Sequence, residues 1–306
     1  TVSLGDTLSI LASRFAAIPQ TWSSMAQNVI LEVRLPRILG ALLVGASLAV
    51  AGAAYQGIFR NPLVSPDLLG VSSGACIGAA AAILAGWGAF GVQGAAFAGG
   101  LGAVACTVTI PKLLKRDSTV TLVLSGIIVG GFCGSILGLV KYLADPETQL
   151  PEIVYWQMGS LAKVDYGALA SIAPVMVVSM TAVLVMRWRI NVLTMGDDEA
   201  STMGVNARRV RLIVILAATL VTAASVSISG MIGWVGLVIP HFARMIVGCD
   251  YRKLLPASML MGASFLLIVD DVARLVASSE IPIGILTAFV GAPFFLYLIT
   301  RRKQGL

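Results

Sequence analysis

RWRINVLTMGDDEASTMGVNARRVR, residues 187–211, is the longest polar stretch in the second half of the chain. The acids at 197–199 lie between arginines at both ends of the stretch, and Gly196 and Gly204 bracket a short helical run. The residues before and after it are apolar segments joined by short loops. This pattern predicts a membrane-embedded helical chain in which residues 187–211 form a surface where a soluble partner docks.

The composition indicates a polytopic membrane protein. Of the 306 residues, 58% are hydrophobic and 12% are charged, whereas soluble proteins contain about 25% charged residues. The 32 glycines exceed the usual share of about 7%, which suits closely packed transmembrane helices. Basic loops at one membrane face explain the net charge of +6. We therefore expect the spans to contact membrane lipid, and we expect no nucleic acid partner.

Membrane spans are predicted where about 20 residues pass without a charge. An odd number of such runs places the two chain ends on opposite faces of the membrane. Most of the 21 lysines and arginines lie in loops on the same side as residues 187–211, so we expect that side to be cytoplasmic. Thr1 is then outside and the C-terminus inside. Because the chain does not begin with Met, we expect a further span before Thr1, giving ten. The nine runs are 38–59, 68–86, 90–110, 118–140, 166–186, 212–230, 233–248, 254–277 and 281–300.

Residues 1–37 are predicted to form an external segment on the membrane surface. The segment ends in the sequence RLPR, which places Arg34 and Arg37 at the outer interface. Arginines at this depth serve as interfacial anchors whose charged heads stay in water. The alternative is that they recognise an acidic partner outside the membrane.

The eighth span carries charges near its outer end. Arg274 follows Asp270 by four residues and Asp271 by three, which is the spacing of a helical ion pair. Acids within spans are also typical of proton relays. A secondary carrier that uses Asp270 or Asp271 as its proton site therefore stays open as an alternative function.

Two features are candidates for the wall of a translocation path. Residues 57–66, GIFRNPLVSP, contain two prolines at the inner membrane face, and such a broken backbone is tolerated only where it packs in protein or lines a cavity. In the run 118–140, Gly126, Gly130 and Gly134 recur every four residues and so share one side of a helix. That ridge serves either close helix packing or the lining of a wide path.

A weak internal repeat relates two of the spans. Residues 46–52, ASLAVAG, resemble residues 224–230, ASVSISG, and a proline follows each glycine by ten residues, at Pro62 and Pro240. By the charge rule, the two spans run in opposite directions. Matching breaks in oppositely oriented spans are typical of an inverted-topology transporter.

Sequence motifs for catalysis are absent. The chain has no glycine-rich phosphate loop followed by a lysine, no nucleophile constellation and no metal-binding cluster. We therefore expect a chain that is not an enzyme and that holds no metal or other cofactor. Active transport would then need an ion gradient or an ATPase on another subunit.

Several blocks of sequence resemble, in order along the whole chain, the FecCD-type permease family of ATP-binding-cassette (ABC) importers. That family carries iron-siderophores, haem and cobalamin. The blocks are RLPR (34–37), GIFRNPLVSPDLLGVSSGA (57–75), YWQMGSL (155–161), GDDEASTMGV (196–205), GLVIPHFAR (236–244) and EIPIGILTAFVGAPFF (280–295).

The resemblance implies an all-α, ten-helix type II importer permease, with residues 1–306 as one transmembrane domain of which nine spans are present here. It also implies three kinds of partner in a bacterial or archaeal cytoplasmic (inner) membrane. These are a second permease, identical or closely related, two cytoplasmic ATPase subunits that hold ATP and Mg, and a periplasmic or extracellular substrate-binding protein.

The resemblance also implies roles for single residues, with residues 187–211 as the coupling segment. Val120 departs from the more polar pattern of the family at that position. The substrate stays open between a metal chelate and an oxyanion such as molybdate. The implied sets are Gly196, Asp198, Glu199, Ala200 and Gly204 for ATPase coupling, Arg34, Arg37 and Arg274 for docking of the binding protein, and Asn61, Leu63, Thr119 and Val120 for an inner gate. Gly126, Gly130 and Gly134 are candidates for the path from their spacing alone.

Overall fold

The computed structural model describes residues 2–14, 16, 19–115, 118–277 and 279–302, and of 297–302 it describes the backbone alone. Residues 1 and 303–306, which include the predicted external and cytoplasmic ends, lie outside this description. Regular structure in the described ranges is helical. The helices are α1 (Leu4–Ala12), α2 (Ser24–Asn28), α3 (Leu35–Ile58), α4 (Val71–Leu84), α5 (Ala89–Leu113), α6 (Thr119–Leu143), α7 (Gln149–Met158), α8 (Tyr166–Val185), α9 (Arg187–Leu193), α10 (Asp197–Thr202), α11 (Ala207–Ser229), α12 (Val235–Val247), α13 (Tyr251–Leu275) and α14 (Ile283–Arg302).

Each of the nine predicted spans corresponds to an apolar helix in the described part of the chain. Six helical segments are long and apolar enough to cross a membrane, and three are shorter. The multi-pass membrane fold predicted from the sequence is therefore confirmed. The six long segments are Ser24–Ile58, Ala89–Leu113, Thr119–Leu143, Tyr166–Val185, Ala207–Ser229 and Tyr251–Leu275, and the shorter helices are Val71–Leu84, Val235–Val247 and Ile283–Leu296.

Helices α3 and α11 form the centre of the bundle. The most apolar 18-residue stretches of the segments that contain α3 and α11 are 78% and 72% buried, whereas the corresponding stretch of α6 is 22% buried. The mean hydropathies of the three windows are nevertheless similar, at 2.0, 2.3 and 2.2. Hydropathy therefore identifies a span but does not say whether protein or lipid surrounds it.

Small residues allow α3 to contact its neighbours through the backbone. A Cβ built on Gly45 would lie 2.2 Å from the carbonyl oxygen of Gly262 in α13, and one built on Gly52 would lie 1.8 Å from that of Gly236 in α12. No side chain fits at such distances. The glycines of α3 thus permit the close helix packing that is typical of membrane bundles.

The chain between α3 and α4, residues 59–70, is the first break in the bundle. It ends in a single 3₁₀ turn, Pro66–Leu69, which packs between α5 and α6. Thr107 of α5 donates a hydrogen bond of 3.0 Å to the carbonyl oxygen of Leu69, so this buried backbone acceptor is satisfied inside the protein. The predicted break is confirmed, and its second half is packed in protein.

A second break, residues 230–234, follows α11. Gly230 turns the chain with a φ of 66°, and a Cβ there would lie 2.2 Å from the carbonyl oxygen of Trp156. The side-chain amide of Gln56 lies 3.5 Å from the carbonyl oxygen of Gly236, at the start of α12. Both α3 and α11 are thus followed by an irregular connection and a short helix, which agrees with the repeat predicted from the sequence.

Candidate functional site

The coupling segment, residues 187–211, contains two short helices, α9 and α10, between the spans α8 and α11. Gly196 precedes α10 with a φ of 144°, and Gly204 follows it with a φ of 74°. Both angles lie in the region that favours glycine, so sharp turns are possible at both ends of α10. The short helical run predicted between the two glycines is present.

The outer surface of α10 is acidic. The side chains of Asp198 and Glu199 are exposed, and Met203 immediately after the helix is also exposed. Ala200 is fully buried and anchors α10 to the core of the bundle. The side chain of Ala200 therefore offers no surface to a partner in this structure, and its part in coupling stays a prediction.

Asp197 connects α10 to two other parts of the molecule. Its Oδ1 lies 2.9 Å from Nη2 of Arg211 in α11 and 3.9 Å from Nη2 of Arg60 in the first break. The hydrogen bond from Arg211 lowers the pKa of Asp197, and the charge of Arg60 acts in the same direction. The sequence analysis did not assign a role to Asp197, because its partners lie far away along the chain.

Arg37 is not available for docking in this structure. Its side chain is 8% exposed and Asp270 is fully buried. The guanidinium donates to both carboxylate oxygens of Asp270, at 2.8 to 3.0 Å, and to Oε1 of Glu280 at 2.7 Å. Arg37 therefore fastens α3 to α13 and to the segment before α14, which corrects the expectation that its side chain faces a binding protein.

The other two predicted docking arginines remain accessible. Arg34 is exposed at the end of the π-helical turn that precedes α3. Arg274 is 27% exposed, contacts Asp271 directly and lies 3.5 Å from Oδ2 of Asp270. The predicted helical ion pair is therefore present, and it shares Asp270 with Arg37. The role of Arg34 and Arg274 as contacts for an external partner stays a prediction.

The predicted gate residues occupy two separate places. Asn61 and Leu63 are exposed at the start of the first break, where Oδ1 of Asn61 accepts a hydrogen bond of 2.9 Å from the backbone N–H of Leu63. Thr119 lines a cavity of about 510 Å³ between α5, α6 and α11. Val120 is 67% exposed on the surface of α6. Their role as a gate stays a prediction.

The predicted glycine ridge of α6 divides into two parts. A Cβ on Gly126 would lie 2.1 Å from the carbonyl oxygen of Leu68, and one on Gly130 would meet Ser73 at 3.8 Å. Gly134 has open space around its Cα. The first part of the ridge therefore packs against the first break, which is one of the two uses left open, while the rest belongs to an uncovered face.

Comparisons with known proteins agree with this architecture. The model of the FecCD transport family matches residues 1–301. The chain is 42% identical over 279 residues to the molybdate import system permease protein MolB of Haemophilus influenzae, covering 91% of this chain and 83% of that protein. It is also 42% identical over 287 residues to the cobalamin import system permease protein BtuC of Halobacterium salinarum, covering 94% and 76%.

A solved structure has the same fold as this chain. It is assigned to the metal-chelate type of ABC transporter and represents an inward-facing conformation. The sequence identity is 40% and the TM-score is 0.86, with 97% of this chain and 98% of the other chain covered. The likeness thus extends over the whole bundle.

Proposed function

The chain belongs to the FecCD transport family and is a permease subunit of an ABC importer, and from this premise we propose that two permeases, two ATPases and an external binding protein together move a metal chelate inward. The observation that carries the proposal is the acidic surface of α10, which projects from the bundle and is tied to the first break through Asp197. An importer of this family is driven by ATP, so we no longer need a proton-coupled carrier to account for Asp270 and Asp271.

The exposed face of α10 is the surface that an ATPase contacts. Asp198 and Glu199 supply negative charge there, and Gly204 allows the turn that returns the chain to α11. The ATPase holds ATP and Mg, and its movement during hydrolysis displaces α10, which it contacts. Asp197 transmits this movement because it contacts Arg60 in the first break and Arg211 in α11.

The opposite face of the bundle receives the binding protein. Arg34 is exposed, and Arg274 is held in place by Asp270 and Asp271. Both arginines can donate charge-assisted hydrogen bonds to a carboxylate of the binding protein. Arg37 contributes indirectly, because it fixes the position of Asp270.

The membrane orientation follows from the charges. The face that carries α9 and α10 is cytoplasmic, because most lysines and arginines lie on that side. The face that carries Arg34 and Arg274 is then external. The membrane is the cytoplasmic (inner) membrane of a bacterium or archaeon, where an external binding protein can deliver its ligand.

The uncovered face of α6 lines the path together with a second permease copy. It presents the exposed apolar side chain of Ile127 two helical turns before Gly134, around which the structure leaves open space. This face offers few hydrogen-bond donors in its middle part. A bare oxyanion needs such donors when it leaves water. A bulky chelate whose metal is already enclosed passes more easily, so we favour a metal chelate over molybdate.

The substrate is tested by purifying the importer with its binding protein and identifying the retained ligand by mass spectrometry and metal analysis. Cobalt, or iron with an organic chelator, supports the proposal, whereas molybdenum without a chelator contradicts it. The relatives named for molybdate and cobalamin are equally similar to this chain, at 42% identity, so similarity alone does not decide the matter.

A second experiment tests α10 as the coupling surface. Glu199→Ala combined with Gly204→Ala is expected to leave basal ATPase activity of the assembled complex intact while uptake into proteoliposomes falls. The matched control is Arg252→Ala with Lys253→Ala, two exposed residues on the same membrane face at the start of α13. Uptake that is unaltered in the α10 variant would argue against this docking surface.

A third experiment tests the path. Gly134→Leu on α6 is expected to slow uptake, whereas Gly102→Leu on α5 is not, although both glycines have open space around them. The comparison separates obstruction of a path from the general effect of a larger side chain. Equal uptake by the two variants would remove Gly134 from the path.

A further inference from the structure

A buried glutamine joins the end of α3 to the start of α12. Gln56, in the last turn of α3, is 2% exposed. Its side-chain amide nitrogen lies 3.5 Å from the carbonyl oxygen of Gly236 and 3.4 Å from that of Leu237. Pro240 follows Gly236 by four residues and has no N–H, so the carbonyl oxygen of Gly236 lacks the donor that a regular helix supplies. Gln56 therefore takes the place of that donor.

Arg244 holds the side chain of Gln56 in this orientation. It lies in the last turn of α12, and its Nη2 donates to Oε1 of Gln56. The other terminal nitrogen, Nη1, is buried and has no hydrogen-bond partner among the described residues. An arginine that serves as an interfacial anchor turns its charged head to water. Arg244 turns its head towards α3, so it has a role inside the bundle.

The same guanidinium lies beside the start of α13, which in turn holds α9. Tyr251, the first residue of α13, is 5% exposed, and its side chain lies beside Arg244. The backbone N–H of Tyr251 donates a hydrogen bond of 3.2 Å to Oδ1 of Asn191 in α9. Ile190, the neighbour of Asn191, is fully buried. Helix α9 is therefore fastened to the bundle, in contrast to the exposed acidic surface of α10.

The end of α3 belongs to the same group of contacts. A Cβ on Gly57 would lie 2.5 Å from Cγ2 of Ile190 and 2.8 Å from Cζ of Tyr251, so α3, α9 and α13 meet there. The carbonyl oxygen of Gln56 accepts a hydrogen bond of 3.1 Å from the N–H of Asn61, in the first break. The first break thus starts from a residue whose side chain and backbone are both bound.

We propose that Arg244 and Gln56 are positioning residues for transport, because they fix the end of α3 while α10 moves. Arg60, four residues after Gln56, contacts α10 at Asp197. If the end of α3 were loose, a movement of α10 would shift α3 and not the first break. The inference rests on the proposed function, since it assumes that an ATPase moves α10.

The first test concerns the purified chain alone. Hydrogen–deuterium exchange of residues 56–64 is compared by mass spectrometry between the unaltered chain and Arg244→Met. We expect exchange to be about 2- to 12-fold faster in Arg244→Met, because the loss of the hydrogen bond to Gln56 loosens the end of α3. Arg244→Lys keeps the charge and a donor, and slow exchange is expected. Unchanged exchange in Arg244→Met, or equally fast exchange in both variants, overturns the proposal whether or not the chain transports.

The second test concerns the assembled importer. Uptake per ATP hydrolysed is expected to fall about 2- to 30-fold in Arg244→Met and in Gln56→Met. The double variant is expected to lose no more than the larger of the two single losses, because both residues act through one contact. Losses that multiply in the double variant, or an unchanged ratio in all three variants, contradict the proposal.

Tyr55→Phe is the matched control for stability. Tyr55 precedes Gln56 on α3, is fully buried, and its hydroxyl lies 2.9 Å from Oγ1 of Thr219 in α11. Its replacement leaves the contact with Arg244 intact, so uptake per ATP is expected to stay within about twofold. A fall as large as that of Arg244→Met would show that any loss of stability uncouples transport, and the role of Arg244 would be wrong. If the unaltered importer shows no ATP-driven uptake, the proposed function fails, while the exchange test still decides whether Arg244 fixes the end of α3.

Discussion

Replacement of Asp270 by Asn is expected to destabilise the bundle far more than the same replacement at the next residue. Asp270 is fully buried and holds the side chain of Arg37, which is 8% exposed. Asp271 is 53% exposed and contacts only Arg274. The two acids are neighbours on one helix and differ mainly in burial, so each is the control for the other.

The magnitude follows from the contacts that are lost. Asp270→Asn removes the negative charge that faces the guanidinium of Arg37, while Glu280 at 2.7 Å still compensates part of it. Breaking a buried ion pair costs about 3 to 5 kcal/mol, and the remaining contact to Glu280 favours the lower value, about 3 kcal/mol. Asp271→Asn loses an exposed pair, which costs less than about 1 kcal/mol.

Thermal unfolding of the purified chain in detergent measures the difference. At about 2 to 4 °C per kcal/mol, Asp270→Asn is expected to lower the midpoint by roughly 6 to 12 °C, and Asp271→Asn by no more than about 4 °C. A double variant, Arg37→Met with Asp270→Leu, removes both charges and is expected to recover most of the loss. Equal shifts for the two single variants would refute this account of the Arg37 network.

Three further predictions concern the centre of the bundle and the coupling segment. Gly52→Ala places a methyl group against the backbone of α12 and is expected to cost about 1 to 3 kcal/mol, whereas Gly134→Ala on the open face of α6 is neutral or slightly stabilising in the same unfolding assay. Tyr55→Phe removes a buried hydroxyl that lies 2.9 Å from Oγ1 of Thr219, and a loss of about 1 kcal/mol is expected by chemical denaturation. Asp197→Asn is expected to reduce uptake per ATP hydrolysed, with a stability change below about 1 kcal/mol because the carboxylate is partly exposed. Because the pKa of Asp197 is lowered, its contribution is complete above the ordinary aspartate pKa and is lost only as the pH falls through the lowered value. Uptake per ATP hydrolysed should therefore not change between about pH 5 and 8 through protonation of Asp197.

The helical spans were predictable because about 20 uncharged residues leave a strong signal. The sequence did not show that α3 and α11 occupy the centre, since the apolar windows of α3, α6 and α11 have similar mean hydropathy. The glycines of α3 meet the backbone of other helices, as Gly52 does at Gly236 of α12, and that pairing depends on tertiary contacts. A glycine in open space, such as Gly134, looks the same in the sequence.

The charged sites were predictable only in their local part. The pair formed by Arg274 with Asp270 and Asp271 follows from helical spacing, and the structure has it. The partner that buries Asp270 is Arg37, 233 residues earlier in the chain, and no local pattern indicates it. For the same reason, the sequence indicated an exposed role for Arg37.

The first break has one end that is fixed and one end that is connected to the coupling helix. Near its end, Leu68 is held against α6 by the close contact at Gly126, and Leu69 is held against α5 by the hydrogen bond from Thr107. Its first polar residue, Arg60, lies 3.9 Å from a carboxylate of α10. If an ATPase moves α10, as we propose, the two ends of the break are displaced by different amounts.

The residues between these ends must take up the difference. They include Asn61 and Leu63, which are exposed and are joined to each other by a hydrogen bond within the break. Since Pro62 and Pro66 restrict the backbone on both sides of Leu63, a displacement of Arg60 rotates this short segment as a unit and does not extend it. We therefore expect the predicted gate residues to move because they lie between Leu69, which is fixed, and Arg60, which is displaced with α10. Removing the contact of Arg60 with Asp197 should leave the gate residues in place while the ATPase still hydrolyses ATP.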